Sequence, residues 1–492
     1  MRFPHFGGLP DGRVAHWAAK ITRSHAQQAA AQAVAGLRVR DMDASISRIA
    51  DYASTLEYES LPAEVVHECK RRLVDTVGCA LGAFDDEPSR IARLLASRVE
   101  APGGARVFGT GQRALPELAT FANGVMARYL DGNDVFPGGG HPSDVIPAVL
   151  AAVDVACADG HAAITAIVLA YEIYGHLFRA ASMRDRGLDH VFYTAVASAV
   201  GAARVLGLDR TRTAQAVALA VTPNIALHAT RRGDLSMWKG VAAGNAARNG
   251  VFATLLAARG MTGPDKAIDG AHGLRELLGS FELSEFGGDG RPFQLPRSDL
   301  KYFLTEFHSQ SPITAAIELR RQVAVEDIEA VTVHTYWFAW SEIGSEPEKW
   351  HPTSRESADH GLPYILAAVL IDGQFSDDIF SDARIRDHRT HELADRIAIN
   401  EDKEYTREFP AKLPCRIEIR TKSGKELVAR VDYPRGHGGN PMTDEEVSDK
   451  FRMLAGRQLN KGQAERALEV MWAFDTASSL DGLFESVQIR RG

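Results

Sequence analysis

The stretch Leu130–Pro147, LDGNDVFPGGGHPSDVIP, concentrates side chains that hold charge and move protons. Asp131, Asp134, Asp144, the amide Asn133 and His141 lie there beside three consecutive glycines, Gly138–Gly140. The glycines remove side chains and permit backbone angles other residues avoid, so backbone and ligand can approach closely. His141 precedes an expected helix start, with Ser143 as N-cap, Asp144 in the first turn and Pro147 tolerated there. A helix N-terminus attracts anions and disfavours a protonated imidazole, which leaves a neutral His141 suited to act as base or donor. Asp131 and His141 thus flank a cradle for a carboxylate-bearing ligand. The competing reading is a solvated loop whose glycines only turn the chain.

Four other stretches repeat the theme of polar groups at helix starts. Arg231-Arg232 precedes Trp238-Lys239, and a lysine there binds a carboxylate or, if buried, loses basicity; the plain alternative is a solvated lysine. KYFLTEFHSQ places Lys301, Glu306 and His308 in an aromatic setting at an expected domain junction. His190 opens one helix pattern as a capping or core residue, and Tyr364 starts another, where its phenol donates a proton or makes a structural hydrogen bond. No phosphate-binding loop, dinucleotide fingerprint, zinc-binding HExxH or nucleophile elbow is present. The set suits binding a multiply charged anion and moving protons at carbon without a cofactor.

These groups need a rigid frame. From Ser45 to about Gly288 the pattern is almost wholly helical: Ala63–Ala80 carries Val66, Cys69, Leu73 and Val77 on one stripe, and Ile164–Leu177 and Thr194–Leu208 are apolar nearly all round and expected to be buried in a bundle. Composition shifts to Gly, Asp and Pro near Phe281–Pro296, and strands follow: Ile328–Tyr336 alternates, and Arg416–Tyr433 reads as a hairpin turning at Ser423-Gly424. A buried helix is expected over Ser357–Leu370, and helix returns over Asp444–Phe474. The fold class is therefore mainly α with a smaller α+β domain, and clefts between such domains are common ligand sites. The boundaries are an N-terminal extension at 1–41, a helical domain at 42–288, the α+β domain at 289–440 and C-terminal helices at 441–492.

The formal net charge of −8 argues against nucleic acid as a main partner. The four cysteines (Cys69, Cys79, Cys157, Cys415) lack the spacing of zinc or iron–sulfur sites, so no metal and no iron–sulfur dependence are expected, and their scarcity suggests a reducing compartment. No uninterrupted apolar run of about 18 residues is found, so no membrane span is expected. Residues 1–41, rich in Ala, Gln and Arg, read as a transit-like segment or as an extension before a start at Met42. Location is cytoplasmic, or the mitochondrial matrix on the first of these readings.

The core stretch LDGNDVFPGGGHPSD resembles the signature of the MmgE/PrpD family, with support from RRLVDTVGCALGAF at Arg71–Phe84, GLDHVFYTAVAS at Gly187–Ser198, MWKGVAAGNAARNG at Met237–Gly250, EFHSQ at Glu306–Gln310, SADHGLPY at Ser357–Tyr364 and DYPRGH at Asp432–His437. The resemblance spans nearly everything after Met42 and leans toward the 2-methylcitrate dehydratase branch. It implies a large helical bundle domain built from both ends of the chain, a smaller α+β lid domain, and a homodimer. Carried over by position, the family's active-site residues fall on Asp131, His141, Lys239, Lys301 and Tyr364, with His190 and His308 as further candidates. Val135, where the family pattern has Thr, and the Gly138–Gly140 run are departures.

The resemblance implies a cofactor-independent lyase acting beside a carboxylate of a di- or tricarboxylate. Dehydration of 2-methylcitrate or a similar hydroxy-tricarboxylate leads; decarboxylation of the cis-aconitate type, epimerisation of a related dicarboxylate, or a non-catalytic helical binding protein are the alternatives. In the dehydratase case Lys239 and Lys301 anchor carboxylates, with Asn133 and His190 as further substrate contacts. Asp131 or His141 is the base, and Tyr364 or His308 the leaving-group acid.

Overall fold

The computed structural model describes residues 42–490. The expected extension at 1–41 lies outside the described residues. Helices are started by side chains that satisfy free backbone N–H groups: Asp43 caps α1 (Ala44–Thr55), Asp159 caps α5 (Gly160–Ala180) and Asp209 caps α7 (Arg210–Val221). Between them run α2 (Ala63–Gly82), α3 (Pro116–Tyr129), α4 (Ile146–Ala156) and α6 (Val191–Val205), followed by α8 (Trp238–Ala258).

α3, α6 and α8 form the heart of this first core, with α8 packed against both others. The crossing of α3 and α8 needs glycine on both sides. A Cβ on Gly124 would stand 2.8 Å from the Cα of Gly244. That close approach brings the end of α3 and the start of α8, which carry Arg128 and Lys239, toward one point. α5 is long and apolar enough to cross a membrane by length and composition, although Glu172 interrupts its apolar run. It is mostly buried inside the bundle, and its one acid in the middle, Glu172, accepts the backbone N–H of Gly287 at 2.9 Å. Its apolar character is therefore accounted for by the core.

A second core lies around a four-stranded sheet. β1 (Ile328–Thr335) runs parallel to β2 (Ile397–Glu401) and antiparallel to β3 (Cys415–Thr421), which pairs with β4 (Glu426–Val431) in the order β2-β1-β3-β4. β3 and β4 are the expected hairpin, turning with Gly424 at φ 84°. β2 was not expected: its five residues are bounded by neither Gly nor Pro. Helix α9 (Gln310–Arg320) covers β3 and β4, and α10 (Leu362–Asp372) packs on α9. The expected helix over Ser357–Leu370 is broken by Gly361, so that Asp359 and His360 stand in the joint before α10.

After β4 the chain returns to the first core. α11 (Asp444–Ala455), started by a Thr443/Glu446 capping box, packs on α2, and α12 (Lys461–Trp472) follows. Lys450 of α11 is buried. Its ammonium pairs with Asp75 of α2 at 2.7 Å and donates to the carbonyls of Gly132 and Lys301, each at 2.6 Å.

Candidate active site

Asp131 is the hub. It is fully buried at the end of α3 with φ 52°, a left-handed backbone that Asp tolerates better than most residues. Its carboxylate takes an ion pair from Arg128, one turn back on α3, one from Lys301 at 2.7 Å, and one from Lys239 at 3.2 Å. Lys301 also donates to the Asp131 carbonyl at 2.8 Å. Burial alone would raise this carboxyl, but Arg128, Lys239 and Lys301 outweigh it and hold it well below the usual carboxylate range. Lys239 simultaneously binds Asp359 at 3.0 Å. Asp131, Asp359 and His360 have ligand atoms close enough together to hold a metal ion, and the Lys239 ammonium stands between the two carboxylates.

Beside the hub is a cavity of about 210 Å³. One wall comes from the first core: Arg128, Asp131, His141, His190 and Arg231, with Gly138 and Gly139 at the lip. These two glycines have φ 113° and 104°, which other residues rarely adopt. The facing wall comes from the second core: Glu306, His308, Phe338, Glu342 and His360. Five histidines (141, 190, 228, 308, 360) line the cavity.

The histidines are held neutral. Burial, with Arg128 and Lys301 nearby, pushes His141 well below its usual range. Its Nδ1 donates to the Asp134 carbonyl at 2.7 Å, so Nε2 is the unprotonated nitrogen. Burial also lowers His190 and His308 to about 3 and His360 to about 4. His360 Nδ1 donates to Asp359 at 2.5 Å, an orientation that again leaves Nε2 bare. Among the cations, Arg231 grips Asp189 through Nε at 3.0 Å, while the buried Arg128 Nε faces Asp144 at 4.0 Å, an ion pair without a hydrogen bond. The cavity thus combines donors for carboxylates with imidazoles that accept a proton.

Two matches cover most of the chain. The MmgE/PrpD N-terminal domain matches residues 47–283 and the MmgE/PrpD C-terminal domain residues 303–476. The chain belongs to the MmgE/PrpD family. It is 31% identical to the 2-methylcitrate dehydratase of Escherichia coli (strain K12) over 87% of this chain and 94% of that protein. It is 29% identical to the mitochondrial 2-methylcitrate dehydratase of Yarrowia lipolytica, over 87% and 86% of the two chains. The alkylcitrate dehydratase phiI of Fungal sp. (strain ATCC 74256) is 26% identical over 87% of this chain and 91% of its own.

Of the residues that the MmgE/PrpD pattern singles out, the structure brings Asp131, His141, His190 and His308 to the cavity wall. Lys239 and Lys301 do not line it; they stand behind Asp131 and neutralise it, so their ammonium groups are committed to protein carboxylates. Asn133 is also behind the wall, donating to Ser143 Oγ and to Asp144, both at 3.0 Å. Ser143 does not cap the helix with its side chain; its backbone N–H donates to Asp134. Tyr364 is corrected more strongly. Its hydroxyl donates to the Ile379 carbonyl at 2.5 Å inside the second core, away from the cavity. Val135 lies in an apolar cluster with Phe307 and Tyr336 and exchanges both backbone hydrogen bonds with Asp299.

Sequence reasoning gave no role to Arg128, Asp359 or His360. Arg128 in the last turn of α3 pairs with Asp131 just past the helix end, where the left-handed backbone of Asp131 turns its carboxylate back. Asp359-His360 sits inside the stretch SADHGLPY, five residues before the tyrosine that drew notice instead.

Proposed function

We propose that this chain is a hydro-lyase that dehydrates a citrate-type hydroxy-tricarboxylate, with 2-methylcitrate the first substrate to test. The names of the relatives support the class. The observation that carries it is the bare Nε2 of a neutral His141 beside guanidinium groups in one cavity. Arg128 and Arg231, which line the cavity, bind substrate carboxylates as bidentate-capable donors. His141 Nε2 takes the proton from the carbon beside one of them. Negative charge then builds on that carboxylate, where the fixed guanidinium groups stabilise it without reorganising. Asp131 is not the base: with three cations on it, it acts as the counter-charge that keeps Arg128 in place. The C–O bond breaks, the alkene forms and the hydroxyl leaves as water.

The reaction uses protein groups alone in this proposal, the positive charge between Asp131 and Asp359 being that of Lys239. The test is purified, chelator-treated protein with 2-methylcitrate, citrate and cis-aconitate in separate reactions. Near-ultraviolet absorbance reports the conjugated alkene and proton NMR identifies the product. Alkene from 2-methylcitrate is the expected result. Carbon dioxide from cis-aconitate, or no turnover of any of the three, overturns it.

A further inference from the structure

A dehydration needs a proton for the departing hydroxyl, and the residues named for that role from sequence do not supply it. Tyr364 is outside the cavity. The cavity imidazoles are neutral, and a neutral imidazole that gives up its remaining N–H becomes an imidazolate, a poor outcome in a site already gathering negative charge. His308 is further tied through Nδ1 to the Tyr336 hydroxyl at 2.6 Å.

We propose that Glu306 is the catalytic acid that protonates the leaving hydroxyl. Its side chain is 12% exposed, lines the cavity, and stands on the second-core wall opposite His141. The backbone N–H of His308 fixes one carboxyl oxygen at 2.6 Å. The other is 3.8 Å from His308 Nε2 and remains to carry the proton. The charged and titratable groups facing it are Lys301 and Asp131 from the hub, His308 on its own turn and Glu342 across the second-core wall. Burial dominates these, and with Asp131 and Glu342 it outweighs Lys301, raising the carboxyl to about 8, so that it is protonated at neutral pH. A bound polycarboxylate adds negative charge and holds that proton more firmly.

The step balances. His141 Nε2 accepts the carbon-bound proton, the C–H pair becomes the π bond, and the C–O pair leaves with oxygen, which takes the Glu306 proton as water. The Glu306 carboxylate recovers its proton from solvent as His141 releases one.

This assignment rests on the dehydratase reading, and the experiment separates the two. Wild-type enzyme is assayed across pH with 2-methylcitrate and with the analogue carrying fluoride in place of the hydroxyl. Fluoride leaves without a proton. For the hydroxyl substrate, kcat/KM falls tenfold per pH unit above about 8, and kcat falls only at higher pH because bound substrate holds the proton more firmly; for the fluoride analogue this limb is missing. The variant Glu306→Gln loses about 100-fold or more in kcat on the hydroxyl substrate. Its KM changes by no more than a few-fold, and its turnover of the fluoride analogue stays near wild type. An alkaline limb common to both substrates in the wild type overturns the assignment without any variant. So does equal loss on both substrates in Glu306→Gln, or wild-type activity in that variant. A wild type that converts neither substrate overturns the dehydratase reading, and the role of Glu306 falls with it.

Discussion

On the wall built by the first core, the Asp131 carboxylate meets Arg128, Lys239 and Lys301, and is held ionised. On the wall built by the second core, burial dominates the Glu306 carboxyl, Asp131 and Glu342 add to it and Lys301 opposes it, and the carboxyl keeps its proton. Both groups face the same cavity, and burial pushes both in the same direction. The difference lies in the cations the fold brings to each: Asp131 receives Arg128 from its own turn and Lys239 and Lys301 from distant segments. Two carboxyls driven apart in this way become a fixed charge and an acid. The base on the first-core wall, His141, is neutral because burial, with Arg128 and Lys301 nearby, discourages a further positive charge.

The largest break in this comparison comes from Asp131→Asn. It takes the counter-charge from buried Arg128 and Lys301 and leaves Lys239 with Asp359 alone, so unfolding in denaturant should show a loss of about 3–5 kcal/mol, the usual effect of removing one partner of a buried pair. Activity should vanish with it, because Arg128 loses the partner that orients it. A stable, active Asp131→Asn protein would show that the cations are satisfied elsewhere. Next is His141→Gln, which leaves the ion pairs intact: turnover should drop about 100- to 10,000-fold. The drop should appear on the hydroxyl substrate and its fluoride analogue alike, in contrast to Glu306→Gln, with the melting temperature within a few degrees of wild type.

A subtler effect concerns stability against pH. The folded Glu306 carboxyl titrates at about 8, far above its unfolded value near 4.3. Its contribution to stability is complete below the unfolded value and is lost as pH rises toward 8. Glu306→Gln removes that loss. It should melt several degrees above wild type at pH 8 and close to it at pH 5, by calorimetry. The same difference at both pH values would place the effect in packing and not in protonation. The smallest expected effect is Tyr364→Phe. It removes one hydrogen bond to Ile379, worth about 1 kcal/mol, and should change kcat less than twofold. A large kinetic loss there would mean that the second core reaches the cavity through α10.

The bundle was legible because apolar periodicity is strong in α2, α5 and α6, where nearly every residue is buried. β2 was hidden because a five-residue strand in a parallel pairing carries little pattern of its own. For the site, the loop around Asp131 and His141 could be read from composition. The positions of Lys239 and Lys301 behind Asp131 could not, since a lysine looks the same in sequence whether it meets a ligand or a protein carboxylate. Tyr364 shows the same limit from the other side. It follows Gly361 on α10, and the turn of that helix aims it into the second core while His360, four residues earlier, faces the cavity. Only the fold decides which of two polar residues in one short stretch points outward.

Lys450 donates to the carbonyls of Gly132 and Lys301, the residues flanking the two sides of the hub. Those carbonyls come from segments more than a hundred residues apart, and the group that ties them is made later than either. During synthesis, Gly132 and Lys301 leave the ribosome before the ammonium that their carbonyls accept. The hub is completed only when α11 emerges and docks on α2. Every cavity-lining residue named above precedes residue 450 in the chain, so the lysine that ties the two sides of the hub together is the last of these parts to be made.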